Sequence, residues 1–491
     1  MSKLFLFAIG GTGSRVVKAL TMLLAAGVNA AAETIVPIII DPDSANGDLT
    51  RTVEILKTYK EIRAQAASDK SSFFKTKFSS LDELGEGSFV SDNFIFDIEG
   101  VKEHLFKDFI GYSELDRSNR AFSSLLFSKS NLNADMDVGF KGNPNIGSVV
   151  LNKFKDTSFF RKFASNFEQN DRVFIISSIF GGTGAAGFPL ILKNVRDAAP
   201  PLPHHNFLRN ARIGAVSILP YFGVDKNDKT SIDSNTFISK TKAALSYYAR
   251  NVSGNRSVNA LYYIGDMVTN DQKGADGASG QRNKAHFIEL AAALSVIDFM
   301  DLGDADLNVV NGSATNPKFF EFGLQKESSS IQFADLAKET HDIVARPLTR
   351  FALYQSFLEN HYTEFSEAKG EAWASNGNNK LTREALGVRY RNSLSTFNQH
   401  FKEWLQEMSV SNVSFNPIDF TKSGKDIFNL VNGTPEKKGF LNNILKGSGL
   451  GNYRNVLSEL EPQFDHLSSS QKLMALFSGA TEKIVNEKLT I

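Results

Sequence analysis

An α/β fold, with a parallel sheet covered by helices on both faces and a mainly helical C-terminal region, is what three observations on this sequence predict. Short segments rich in Ile, Val, Phe and Tyr alternate with helix-like segments over the first 300 residues. The tetrapeptide Gly-Gly-Thr-Gly follows such a segment twice, at 10–13 and again at 181–184. In roughly the last 160 residues strand signals become sparse, and apolar residues recur at every third or fourth position.

Taken in chain order, the first strand is LFLFAI, 4–9. Lys3 ahead of it imitates the start of a secretion signal, but the apolar run is short, ends in Gly-Gly-Thr-Gly and lacks a small-residue cleavage site, so it reads as a buried strand. Ser14–Ala26 reads as a helix and TIVPIII, 34–40, as the second strand. Residues 51–133 carry no motif with a chemical interpretation and read as an insertion. RVFIISSIF (172–180), RIGAVSIL (212–219) and ALYYIG (260–265) continue the strand series, with helix-like segments at Gly187–Ala198 and Phe237–Ala249. Near-continuous apolar strands separated by helices mean a parallel sheet buried on both faces. Ligands of such sheets sit at the carboxyl ends of the strands, and both glycine-threonine turns fall there.

The stretch Asn283–Met300 reads as an amphipathic helix, and DLGDADLN follows it. After FFEFGL, 319–324, one apolar stripe is formed by Phe351, Tyr354, Leu358, Tyr362 and Phe365, and another by Tyr390, Leu394, Phe397, Phe401, Leu405 and Met408. Such stripes mark helices packed on the sheet domain or on each other, and they would also suit a protein partner. The domain expectation is 1–282 for the sheet domain including the 51–133 insertion, 283–310 for a connecting helix with its acidic loop, and 311–491 for a mainly helical domain.

Composition removes several classes of function. Lys plus Arg and Asp plus Glu number 54 each, so the basic footprint of a nucleic-acid binder is missing. There is no cysteine, which removes disulfides, thiolate metal sites and cysteine nucleophiles and fits a reducing, cytoplasmic setting. No run reaches the ~18 unbroken apolar residues of a membrane span. The eight histidines are scattered; His204 and His205 are adjacent, and neighbours on a regular element diverge rather than share a metal ion, so no metal site is expected from the side chains alone. Neither a GxSxG elbow nor an HExxH helix is present.

What remains is phosphate chemistry. Glycine allows the backbone close to a ligand, several N–H groups then converge on an anion at the positive end of the following helix, and a threonine adds a hydroxyl donor. Pro189 is expected in the first helical turn, where no N–H is needed. Neither turn is a Walker A motif, since both lack its lysine. The first turn also lacks the third glycine of a dinucleotide fingerprint.

These residues resemble the tubulin/FtsZ superfamily of GTP-binding proteins, in its bacterial tubulin-like form. SSIFGGTGAAGFPLI, 177–191, looks like the family's phosphate signature, with Phe180 and Ala186 in place of its first and last glycines. AIGGTGSRVV, 8–17, resembles the family's first phosphate loop, and GFKGNPNIGS, 139–148, its segment near the terminal phosphate. The resemblance implies a Rossmann-type nucleotide sheet that binds GTP or GDP with Mg²⁺. It places Gly10, Gly11, Thr12 and Gly13 on one side of the phosphates and Gly181, Gly182, Thr183 and Gly184 on the other. It puts Asp41 and Asp43 near the Mg²⁺ shell, although Asp-Pro-Asp is also ordinary turn chemistry. Gly142, Asn143 and Pro144 would approach the γ-phosphate, or else form a plain Asn-Pro turn. Asn283, His286 and Phe287 would meet the guanine base, with Phe287 equally suited to a core. Asp301, Asp304 and Asp306 would orient the attacking water for the neighbouring subunit, or else end a helix as a solvated loop.

Three functions follow from the residues and the resemblance. The first is a GTP-binding, GTP-hydrolysing protein that assembles with itself head to tail. The second is a nucleotide-binding scaffold or signalling component that does not polymerise. The third, a Rossmann NAD(P)-dependent oxidoreductase, is disfavoured because one dinucleotide fold has no use for a second Gly-Gly-Thr-Gly turn.

Overall fold

The computed structural model describes residues 3–43, 46–85, 87–98, 101, 104–136, 140, 143–224, 234–266, 269–272, 282–322, 330–362, 371–375, 379–411, 413–422, 427–433 and 449–491. Its centre is a seven-stranded sheet made of β1 (Lys3–Ile9), β2 (Thr34–Ile40), β3 (Lys77–Phe78), β4 (Arg172–Ser178), β5 (Arg212–Ile218), β6 (Ala260–Ile264) and β7 (Lys318–Phe322). The order is β7-β6-β5-β4-β1-β2-β3 and every pairing is parallel. Chain order reverses between β1 and β4, which opens the ligand crevice of a doubly wound sheet at their carboxyl ends.

The strands are apolar on both sides because both sides are covered. β1 and β4 are buried along almost their whole length, and each fully buried Leu, Ile or Phe contributes about 1.5–3 kcal/mol. Alternation assigns the two faces. On one face a side chain at Gly214 would strike Phe174 and Phe299, and a Cβ on Gly13 would fall 2.7 Å from the Ala8 carbonyl carbon, so α1 (Gly10–Ala25) and α6 (Phe287–Asp301) lie there. On the other face Phe5 and Phe7 meet Phe163, and Gly187 of α4 (Gly182–Arg196) meets Ile9. Pro37 sits inside β2, but outward bonding there passes from Ile35, which accepts from the Ser79 N–H, to Ile39, which bonds Phe94 and Phe96. Proline therefore occupies a position where the ladder calls for no N–H.

Residues 51–133 begin with the body of α2 (Gly47–Ala66) and the edge strand β3, so the sheet's own layer runs through that stretch as far as Phe78. Likewise β7 lies beyond residue 310 and still pairs with β6. The C-terminal region is mainly helical: α7 (Lys338–His361), α8 (Val388–Ser409), α9 (Gly449–Leu460) and α10 (Ser469–Lys488). Both predicted stripes are buried, except for Phe365, which lies outside the described residues. Phe73 and Phe74 reach into this region, with rings 5.1 Å from Phe351 and 5.0 Å from Phe397 respectively, so one hydrophobic core runs from the sheet across α2 into the helices. Among the described residues no helix is long and apolar enough to cross a membrane.

Candidate functional site

The two Gly-Gly-Thr-Gly segments start side by side, because β1 and β4 are adjacent and parallel. They are not loops before helices, as expected from the sequence; they are the first turns of α1 and α4, which begin at Gly10 and Gly182. Gly10 has φ +73°, and a Cβ placed on it would lie 3.6 Å from Thr183 Cβ and 3.9 Å from the Gly184 nitrogen. The two segments are therefore in van der Waals reach of each other. Ile9 and Gly181 precede the helices, and neither start has a side-chain cap. First-turn N–H groups have no intrahelical partner, so two positive helix ends and their donors converge on one spot. Gly184 is obligatory for packing as well, since a Cβ there would fall 2.6 Å from the Ser178 carbonyl oxygen.

Pro189 is a correction. It lies eight residues into α4, not in the first turn, because the helix starts at Gly182 rather than Gly187. A mid-helix proline leaves the carbonyl four residues back without its usual donor. Here that carbonyl belongs to Ala185, and the hydroxyl of Tyr248, the last residue of α5 (Ser234–Tyr248), donates to it at 3.1 Å.

The third segment joins the same place. Asn143 caps α3 (Pro144–Leu151), its side chain accepting from the Asn145 N–H at 3.1 Å, and Pro144 takes the first helical position. One turn on, Gly147 approaches α4 so closely that a Cβ would lie 2.9 Å from the Gly182 oxygen and 3.0 Å from Ala186 Cβ. Gly142 lies outside the described residues. Phe180 follows β4 rather than ending it, and is buried against the Tyr221 ring.

Asp41 and Asp43 follow β2 beside the crevice. They are buried, at 7% and 3% exposure, and the Asp43 N–H donates to Asp41 Oδ1 at 3.1 Å, so the solvated-turn alternative does not describe them. Burial, with Asp43 and Asp48 nearby, pushes the Asp41 carboxyl up to about 7. Among the described residues no group of three or more His, Asp or Glu is placed to hold a metal ion. A Mg²⁺ beside this pair would draw the rest of its shell from phosphate oxygens and water, its ordinary habit in nucleotide sites.

Sequence reasoning missed the buried ionic cluster under the crevice. Arg15, 2% exposed, donates from Nη2 to Thr12 Oγ1 at 3.3 Å and to the Tyr221 hydroxyl at 2.8 Å, from Nη1 to Asp48 at 2.9 Å, and from Nε to Glu289 at 2.5 Å. Despite burial, Arg15 and Lys18 hold the Glu289 carboxyl below its ordinary value. The available signal was charge in the wrong place: Arg15 and Lys18 within an otherwise apolar helix, and Glu289 at the start of FIELAAALSVI. Asn283 does not stand free for a base. Its N–H and side-chain amide donate to Asp48 at 3.1 and 3.0 Å, and its carbonyl accepts from Arg51 at 2.9 Å. Phe287 is 1% exposed between Phe322 and Phe415, the core alternative.

Asp301, Asp304 and Asp306 gather elsewhere. α6 begins at the crevice, where Glu289 meets Arg15, and its fifteen residues span about 22 Å. Its end is tied to the amino end of β4: Arg172, 4% exposed, donates to the carbonyls of Phe299, Met300 and Leu302 at 2.7, 3.3 and 2.8 Å and to Asp304 at 2.8 Å. Arg212 lies 3.4 Å from Asp304, and Asp306 pairs with Lys318 at 2.8 Å. Against a desolvation that would raise it, Arg172 and Arg212 hold the Asp304 carboxyl low. Asp301 has no ion pair among the described residues, and partial burial together with Asp298 raises its carboxyl. The acids stand at the opposite end of the sheet from the glycine-threonine turns and cannot reach them within one chain.

A doubly wound parallel sheet with paired glycine-threonine turns at its switch point is thus the class of protein defined by fold and site. The chain is similar to solved structures of CetZ from Methanosaeta thermophila strain DSM 6194 (12% identity, 61% of this chain and 52% of that chain, TM-score 0.29), CetZ2 from Haloferax volcanii as a GTPγS-bound protofilament (13%, 62% and 60%, 0.28) and an empty FtsZ dimer from M. jannaschii (16%, 54% and 45%, 0.26). It spans about half the length of these chains. No family model matches the sequence, and no curated protein matches it. The fold assignment rests on the strand order and the paired turns themselves.

Proposed function

We propose that this chain binds a guanine nucleotide between the first turns of α1 and α4, and that it hydrolyses GTP in head-to-tail assemblies of itself. The observation that carries the phosphate site is the approach of Gly10 to Thr183 at two adjacent uncapped helix starts. Main-chain N–H groups of Gly11, Thr12 and Gly13 would take one side of the phosphates, and those of Thr183 and Gly184 the other. Asn143 and Pro144 close the crevice from α3. Mg²⁺ would neutralise phosphate charge beside Asp41 and Asp43. The choice of guanine rests on the three segments occurring in family order.

The geometry is consistent with catalysis in trans, since acids at the amino end of the sheet serve a phosphate only if the next subunit presents one. Asp301, raised and without an ion pair among the described residues, suits a water-positioning base, whereas Asp304 and Asp306 already neutralise Arg172, Arg212 and Lys318. Those ion pairs favour a second outcome, a nucleotide-binding scaffold without turnover. GTP hydrolysis measured against protein concentration, with sedimentation, separates them. Assembly-dependent turnover that drops at least tenfold in Asp301→Ala supports the first; tight GTP binding with neither pelleting nor turnover supports the second.

A further inference from the structure

We propose that Arg15 is a positioning residue for the phosphate crevice: its guanidinium occupies one of the two lone pairs of Thr12 Oγ1 and so biases the Thr12 hydroxyl proton toward a bound phosphate. The inference rests on the nucleotide site proposed above.

A threonine hydroxyl has one proton and two acceptor sites, and its rotor turns to suit its partners. In the first turn of α1 the Thr12 oxygen accepts from Arg15 Nη2 at 3.3 Å. A hydroxyl that accepts from a cation is left to donate elsewhere, and donates more strongly for it. Thr12 is 7% exposed and lies two residues from Gly10, on which a Cβ would lie 3.6 Å from Thr183 of the opposite turn, and the crevice is the direction assigned to its O–H. Neither turn contains a lysine, and among the described residues Arg15 is a cation that donates directly to one of them.

Arg15 is held in place independently of Thr12. Asp48 from the start of α2, Glu289 from the start of α6 and Tyr221 after β5 fix the fork from three elements. Tyr221 also donates to Glu289 at 2.9 Å. The chain of charges continues outward: Arg51 lies 3.6 Å from Asp48 and 2.6 Å from Glu407 on α8, whose other oxygen accepts from the Ala285 N–H at 2.8 Å. A guanidinium held this way keeps its direction when the crevice fills, which preorganises the hydroxyl rather than letting it adapt after binding.

The test is a double-mutant cycle on the full chain, read as affinity for a fluorescent GTP analogue and for inorganic pyrophosphate. Thr12→Val removes the donor and is expected to weaken binding about tenfold. Arg15→Lys keeps a buried positive charge facing Asp48 and Glu289 but cannot reproduce the fork, and is expected to weaken binding three- to tenfold. In Thr12→Val the Arg15→Lys change should then have no further effect, while in Thr12→Ser, which keeps the hydroxyl, it should have its full effect. Equal losses from Arg15→Lys in the Val and Ser backgrounds would overturn the inference and leave the nucleotide site standing. If the parent chain binds neither probe, both fall. Thermal midpoints of all variants show whether a loss reflects unfolding, and Tyr221→Phe, which loosens the fork without touching Thr12, should give a small affinity loss in Thr12→Ser and none in Thr12→Val.

Discussion

The two ends of β4 meet α helices in opposite ways. At the carboxyl end, α4 starts on Gly181 with no side-chain cap, next to α1, which starts on Ile9 with none. At the amino end, the terminus of α6 is closed by Arg172, which binds two of its last carbonyls, the carbonyl of the following Leu302, and Asp304. Polar groups left open by the chain's own side chains are available to a ligand; polar groups satisfied by a buried arginine hold the frame. The comparison explains why glycine-rich sequence marks the first end and acidic sequence the second, and why the acids alone are poor guides to catalysis.

The sharpest way to break the contrast is to fill the open end. Gly184→Val puts side-chain carbons within 2.6 Å of the Ser178 carbonyl, so the start of α4 must move. Phosphate binding is expected to disappear and stability to fall by about 1–3 kcal/mol, checked by ligand titration and urea unfolding. Retained affinity would mean that the α4 turn is not part of the site. Arg172→Met attacks the closed end, and should cost about 2–3 kcal/mol in urea unfolding through the orphaned carbonyls while leaving nucleotide affinity within twofold.

A third prediction uses pH. Asp41 is raised in the folded chain to about 7, from an ordinary value of 3.8. The folded state therefore binds this proton more tightly than the unfolded chain, and the stabilisation is complete below pH ~4 and is lost as pH rises through ~7. Thermal midpoints of the native chain should fall between pH 5 and 7.5 by more than those of Asp41→Asn; parallel profiles would remove Asp41 as the source. The smallest effect belongs to Asp306, whose exposed pair with Lys318 is a surface ion pair. Asp306→Ala is expected to change unfolding free energy by less than about 1 kcal/mol, and a larger loss would mean that the acidic segment is structural throughout.

Much of this was legible in advance. The strand series, the parallel sheet and both apolar stripes follow from period and composition, since a strand buried on two faces must be apolar throughout. The glycine-threonine turns also announced themselves, because few residues tolerate Gly10's φ of +73° or the contact of Gly184 with Ser178. The sequence alone starts α1 and α4 four and five residues late, at Ser14 and Gly187, for glycine reads as a loop-former even where it fills a helix's first turn. Asp41 and Asp43, like Phe287, have two readings in the sequence; the pair is buried rather than a solvated turn, and Phe287 packs among phenylalanines.

By itself the sequence determined local matters: which segments are strands, which helices carry an apolar face, and where backbone must come close to something. Only the tertiary structure decided who meets whom. Gly10 faces Thr183, Arg15 reaches Glu289 274 residues away, and Arg172 closes the end of α6. Those meetings depend on strand order and on long side chains crossing between elements, and the local sequence carries no record of either.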